Sequence, residues 1–182
     1  TTLSDGGYSV TAVARDTSGN ASTTSVALSI TIDTGMPTAP AITAITTDTG
    51  TNSDQITSDA TLVFTGTAEA NATVEVIVDA GSIGIATADG SGNWSYDHTG
   101  TALSDGSYVL TATATDSAAN TSVASSDFNI TIDAGVPAAP SITAITDDSG
   151  SADGITNDNT LVISGMAEAN SSVTVLLDGG SI

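Results

Sequence analysis

An all-β chain of tandem β-sandwich modules is predicted by three features of these 182 residues. Apolar residues alternate with Thr and Ser in short runs, the period-two pattern of a half-buried strand. Clusters of Asp, Asn, Gly and Ser separate the runs, the residues that turns require. The pattern then repeats. Leu3-Ser4-Asp5-Gly6-Gly7-Tyr8 returns 100 positions later as Leu103-Ser104-Asp105-Gly106-Ser107-Tyr108, and Gly66-Thr67-Ala68-Glu69-Ala70-Asn71 returns 99 positions later as Gly165-Met166-Ala167-Glu168-Ala169-Asn170. The one-residue deletion falls in the loop between Asp48 and Ile56. A period of about one hundred residues is an ordinary domain size.

Only residues 34–133 make a whole period. Residues 1–33 read as the C-terminal part of a preceding repeat, and 134–182 as the N-terminal part of a following one. Within the whole period the first strand, A, is Ala41–Ile45. Strand B is Thr61–Thr65, with Leu62 and Phe64 on one face. Strand C is Thr73–Val78, with Val74, Val76 and Val78 inward and Glu75 outward. C′ covers Ile83–Thr87 and E covers Trp94–Asp97. F is Ser107–Thr115, burying Tyr108, Leu110, Ala112 and Ala114, and G is Asp127–Ile132, burying Phe128, Ile130 and Ile132. Turns are expected at Asp79-Ala80-Gly81, Asp89–Asn93, Ser104-Asp105-Gly106 and Asp116–Asn120. Helical spacing is absent. Seven short antiparallel strands in such a length read as an immunoglobulin-like β-sandwich, and the Leu-x-Asp-Gly-x-Tyr-x-Leu run before F has the form of that fold's tyrosine corner.

The repeats are joined by Thr31-Ile32-Asp33-Thr34-Gly35-Met36-Pro37-Thr38-Ala39-Pro40 and by its twin, Thr131-Ile132-Asp133-Ala134-Gly135-Val136-Pro137-Ala138-Ala139-Pro140. Each begins as the end of a strand, breaks at Gly and stiffens at two prolines. Proline fixes φ and donates no hydrogen bond, so neither segment is the middle of a sheet. Both read as semi-rigid spacers.

Composition narrows the function classes. One Arg (Arg15), no Lys and 21 acidic residues give a formal charge of −20. Nucleic acid and anionic membrane surfaces are disfavoured partners because their phosphates would be repelled; cations are favoured. No run of 18 apolar residues spans a membrane as a helix, and any targeting segment lies outside this stretch. Cysteine is absent, so no disulfide contributes to stability. With Arg15 alone, trypsin-like proteases find almost no cleavage site.

Four signatures in a shared order resemble the bacterial immunoglobulin-like repeats of giant, type I-secreted RTX adhesins of the biofilm-associated class. They are the Thr-Ile-Asp-x-Gly-x-Pro joint, the Gly-x-Ala-Glu-Ala-Asn turn, the Gly92-Asn93-Trp94 strand start and the Thr-Ala-x-Asp-x-x-x-Asn turn. The resemblance covers the whole chain. It implies extracellular strings of sandwiches on a bacterial surface, projecting a ligand-binding tip, with calcium stiffening the joints. One turn departs from the pattern: Asp16-Thr17-Ser18-Gly19-Asn20 becomes Asp116-Ser117-Ala118-Ala119-Asn120, and the lost glycine puts the tight geometry in question.

Counting strand reversals places the carboxylates. Asp105, the linker Asp133 and Glu168 are expected to converge at the second joint. Asp5, Asp33 and Glu69, with Asp116 nearby, are expected to do so at the first. Two unit charges 4 Å apart repel by roughly 4 kcal/mol at a surface dielectric, so such a joint calls for a cation. Oxygen-only ligands select a hard ion, and calcium tolerates irregular cages of six to eight oxygens. A second set, Asp48, Asp54 and Asp59 in the A–B loop, has the counterparts Asp148, Asp153 and Asp158 and is also expected to hold calcium. The competing reading is that all these acids are solvated turn residues.

Other chemistry fits less well. Asp89-Gly90-Ser91-Gly92-Asn93 starts like an EF-hand loop but has Gly100 where the bidentate Glu belongs, so Asp89 is given a turn role. His98, the only histidine, reads as a partly exposed strand-end residue, and Trp94 as a core plug rather than a sugar platform. No calcium-binding nonapeptide repeat is present. The expected function is therefore a non-enzymatic extender whose partners are neighbouring repeats of its own chain. The alternative is a binding module recognising a glycan or partner protein through its loops. The terminal parts, F–G at one end and A–C at the other, are expected either to belong to a longer polypeptide or to associate with other chains.

Overall fold

The computed structural model describes residues 2–145, 155–157 and 159–181, and divides into two compact units, Thr1–Ala134 and Gly135–Ile182. In chain order the strands of the first unit are β1 (Gly6–Val10), β2 (Leu28–Ile32), β3 (Ala41–Ile45), β4 (Ile56–Thr57), β5 (Val63–Thr67), β6 (Thr73–Val78), β7 (Gly81–Thr87), β8 (Asn93–Asp97), β9 (Gly106–Thr115) and β10 (Phe128–Ile132). The second unit has β11 (Ser141–Ile145), β12 (Ile163–Met166), β13 (Leu176–Leu177) and β14 (Gly180–Ser181). No helix in the described residues is long and apolar enough to cross a membrane.

Strands β3 to β10 form the expected immunoglobulin-like sandwich. One sheet has the order β3-β5-β8 and the other β4-β10-β9-β6-β7. Period-two alternation turns Leu62 and Phe64, Val74 and Val76, Leu110 and Ala112, and Ile130 and Ile132 into a common core, where all are at most 1% exposed. Trp94 plugs the same core, as expected, over Gly66. A Cβ built on Gly66 would stand 2.5 Å from the Trp94 ring and 2.0 Å from the Ala41 carbonyl oxygen. Glycine is therefore the residue that lets β3 and the Trp94 ring of β8 close on β5. The tyrosine corner is present twice: Tyr108 Oη donates to the Ser104 carbonyl at 2.9 Å, and Tyr8 Oη to the Ser4 carbonyl at 2.8 Å.

Two features depart from the sequence reading. The strands are not all antiparallel: β4 pairs in parallel with β10, Ile56 and Thr57 lying opposite Thr131 and Ile132. Main-chain bonds from Thr131 N to Gln55 O and from Asp133 N to Thr57 O, both 2.9 Å, fix this edge. The A–B connection thus crosses from one sheet to the other, and Thr57 is buried there with its hydroxyl on the Thr47 carbonyl. The second feature lies between β9 and β10. Ser122 and Ser125 replace a stretch of strand, their Oγ atoms accepting from Ala114 N at 2.9 Å and Ala112 N at 3.0 Å. Ser22 and Ser25 do the same for Ala14 and Ala12 in the preceding repeat.

The partial repeats keep their local pairings without their sandwiches. β1 and β2 form an antiparallel hairpin in the register of β9 and β10, and β11 pairs with β12 as β3 does with β5. Val10, Leu28, Ile142, Val173 and Leu177 remain between 49% and 69% exposed.

Candidate inter-module joint

The first joint lies wholly within the first unit, and its linker is gripped from both sides. Asp5, in the turn ahead of β1, accepts from Thr34 N at 3.2 Å and from the Thr34 hydroxyl at 2.9 Å. Asp33 Oδ1 accepts from Gly35 N at 3.0 Å, folding so closely over Gly35 that a Cβ there would lie 3.4 Å from it. From the following sandwich, Asn120 Nδ2 donates to the Asp33 carbonyl at 3.1 Å. The carboxylates of Asp5 and Asp33 thus sit on the successive amides of Thr34 and Gly35.

Asn120 is aimed by its own turn. Asp116 Oδ1 accepts from Ala118 N at 2.8 Å and Asn120 N at 2.9 Å, while Asp116 Oδ2 accepts from Asn120 Nδ2 at 2.9 Å. The Asn120 side-chain amide and these backbone N–H groups hold the Asp116 carboxyl below the usual carboxylate range. The turn survives the loss of glycine: Ala119 takes φ 69° where Gly19 has φ 89°, and Asp16 makes the same bonds to Ser18 N and Asn20 N. Asp116 is therefore occupied as a turn brace, and Asn120, which the sequence reading did not single out, makes the contact with the linker. Glu69 lies exposed in a turn whose carbonyl accepts from Ala72 N.

At the second linker, Asp105 Oδ1 accepts from Ala134 N at 3.0 Å within the first unit. Within the second unit, Glu168 Oε2 accepts from Ala138 N at 3.1 Å. Asp105 therefore repeats the part of Asp5, bracing the start of the linker. Asp133 N is bonded to Thr57 O, which ties this linker to β4.

In the A–B loop the three acids serve three separate turns. Asp48 Oδ2 accepts from Ser53 N at 2.6 Å and Gln55 N at 3.3 Å, and its Oδ1 is buried without a protein partner. Asp54 Oδ1 caps Ile56 N at 2.9 Å, and Asp59 Oδ1 caps Thr61 N and Oγ1, both at 2.8 Å. The Thr61 amide and then its hydroxyl hold the Asp59 carboxyl down. Their counterparts Asp148, Asp153 and Asp158 lie outside the described residues.

Among the described residues, no group of three or more His, Asp or Glu side chains is gathered so that it could hold a metal ion. The first joint supplies two neighbouring carboxylates, both engaged with linker amides, which as they stand are not a calcium cage. The other candidates take the expected places. Asp89 closes its turn onto Ser91 N and Asn93 N. His98 is half-buried and stacks on Phe64 and on Tyr96, at centroid distances of 5.9 and 6.1 Å. Trp94, the only tryptophan, is 3% exposed and presents no platform to a ligand.

Comparison with known families agrees with this architecture. Residues 36–134 match the bacterial Ig-like domain family, and residues 92–182 match a second description, bacterial Ig-like domain (group 3). No curated protein matches the chain.

Proposed function

Because this chain belongs to the bacterial Ig-like domain family, we propose that it is a structural extender, a segment of stalk in a bacterial surface adhesin of the RTX, biofilm-associated kind. Its work is mechanical: it adds length and holds direction, and a distal domain does the binding. A strand of eight residues spans about 26 Å, so each sandwich adds tens of ångströms of reach. The observation that carries this reading is the two-sided grip on residues 33–35. Asp5 from the preceding repeat and Asn120 from the following sandwich bond to adjacent points of one short linker. A joint so braced resists bending, as an extender requires and a flexible tether does not.

Calcium enters the proposal through charge. The acids around the linkers belong to a chain of net charge −20, and a divalent cation would relieve their mutual repulsion. Asp5 and Asp33 each turn Oδ1 to the Thr34 and Gly35 amides, so binding would use their Oδ2 atoms, with water completing the oxygen shell. Small-angle scattering with calcium and with EDTA tests the metal part. A larger maximum dimension and a narrower distance distribution with calcium are expected; identical profiles remove calcium from the joint. Asn120→Ala tests the extender part separately, since it weakens the grip without removing an acid. If its profile equals the parent's in both conditions, the grip does not set the stiffness.

A further inference from the structure

We propose that β4 and β10 form the mechanical clamp of the complete module, the place where tension running from one linker to the next is borne. This deepens the extender reading and rests on it, since a stalk is pulled along its own chain.

The strands that run into the two linkers lie in different sheets. β3 follows Pro40 in the sheet β3-β5-β8, and β10 leads to Asp133 in the sheet β4-β10-β9-β6-β7. Side-chain packing across the core would be a soft route for load between them, and β4 supplies a stiff one. It continues the chain from β3 and lies parallel to β10, with Ile56 opposite Thr131 and Thr57 opposite Ile132. Tension draws β4 back towards its N-terminus and β10 on towards its C-terminus. Parallel neighbours pulled in this way slide past one another, so their hydrogen bonds are loaded together. Strands peeled apart from one end lose theirs singly. The bonds at stake are Thr131 N to Gln55 O and Asp133 N to Thr57 O, both 2.9 Å. β9 steadies β10 on its other side.

Two residues of strand alone would slip, and the A–B loop anchors them. Thr57 is 1% exposed; its hydroxyl donates to the Thr47 carbonyl at 2.6 Å and accepts from Asp59 N at 3.0 Å. Asp48 Oδ2 takes the Ser53 and Gln55 amides, Asp54 Oδ1 the Ile56 amide and Thr49 Oγ1 the Ser58 amide. The loop cannot straighten without breaking these bonds. They also hold Thr47, Ser53 and Gln55 at φ 61°, 71° and 59°, a left-handed backbone that a Cβ disfavours. Asp48 and Asp54 thus gain a role that involves no metal, as positioning residues of the clamp.

Single-molecule pulling on the full chain at constant force tests this. Cysteine is absent, so Thr38→Cys and Val136→Cys, both at exposed positions, take handles in the two linkers. Rupture of the module is read as a gain in length on the order of 300 Å, the extended chain from β3 to β10 less its folded span. Asp133→Pro removes one clamp bond at an exposed position, and Thr57→Val removes the anchoring hydroxyl while keeping the side chain's shape. Each is expected to rupture about tenfold faster than the parent, the factor given by one hydrogen bond of ordinary strength. Ser122→Ala, between β9 and β10 and outside the clamp, is the control. It loses a buried hydrogen bond yet should keep the parent's rate, because unfolding under force is set by the contacts that break first. Emission from Trp94, inside the core, confirms that every variant is folded before it is pulled. Both handles flank one module, so joint stiffness does not enter, and an extender reading that fails in scattering leaves this readout standing. A parent-like rate in either clamp variant overturns the proposal, and so does an equal acceleration in Ser122→Ala.

Discussion

Ala119 holds a left-handed backbone, φ 69°, in the turn that aims Asn120 at the linker. A Cβ in that conformation costs of order 1 kcal/mol, a cost absent at Gly19. Ala119→Gly should therefore stabilise the complete module by about 0.5–1 kcal/mol, the relief of strain outweighing the greater freedom glycine gives the unfolded chain. A urea midpoint that does not rise would show the turn to be unstrained. The carboxylates beside it give a pH dependence of definite sign. Asp116, Asp89, Asp59 and Asp97 are all held below their ordinary value by hydrogen bonds from the Asn120 side chain, Asn93 N, Thr61 N and the Thr99 hydroxyl respectively. A depressed folded pKa means that the folded state binds the proton less readily than the unfolded one. The stability these groups add is complete above the unfolded value of about 4 and is lost as pH falls through the lower folded value. Relief of general charge repulsion runs the other way in this acidic chain, so the useful comparison is between proteins at one pH. Asp116→Asn should lose less stability than the parent between pH 5 and pH 3, as followed by thermal unfolding. Equal losses would mean that Asp116 is not among the groups responsible.

Within the strands, the tightest constraint is Gly66 on β5. A methyl group there would meet the Ala41 carbonyl at 2.0 Å and the Trp94 ring at 2.5 Å, and neither backbone nor a buried indole can yield cheaply. Gly66→Ala should cost about 3 kcal/mol, at the upper end for overpacking, and a change below about 1 kcal/mol in chemical denaturation would show β3 or the Trp94 ring able to shift. Ser122→Ala strips the Ala114 N–H of its side-chain acceptor in a buried position. A loss of about 1–2 kcal/mol is expected, read in the same titration. These two cases also show what the sequence displayed and what it hid. β6 was legible to the residue, because Val74 and Val76 alternate with Thr73 and Glu75, and the alternation survives burial on one face. Ile56–Thr57 was not, because a two-residue pairing inside Asn52–Asp59 has no period to detect. Ser122 and Ser125 were hidden in a run without alternation, though their recurrence as Ser22 and Ser25 one period away was a usable signal. The acids were legible as residues of loops and joints, but sequence does not give the direction of a carboxylate. Asp48, Asp54 and Asp59 turn to Ser53, Ile56 and Thr61, the nearest backbone donors, as Asp does in tight turns generally.

For the molecule as a whole, charge is the term that a metal reading must be separated from. Twenty-one acidic residues face a single Arg15, whose guanidinium is turned to the Gly19 carbonyl. Self-repulsion of this size favours the expanded chain, and it weakens as the screening length falls from about 30 Å at 0.01 M salt to about 8 Å at 0.15 M. Sodium chloride alone should therefore raise the unfolding temperature, with no site involved. Calcium adds something further only if oxygen ligands close on it. The decisive comparison is sodium, magnesium and calcium chlorides at one ionic strength. Two predictions follow from a specific joint site. Calcium should raise the midpoint more than magnesium, because an irregular set of carboxylates and water suits the larger, less directional ion. That excess should shrink in an Asp5→Asn, Asp33→Asn double variant, while the response to sodium stays. If the two divalent ions act alike, and the double variant responds as the parent does, cations act on this chain by screening its charge, and the joint is held by Asp5 and Asn120 without a metal.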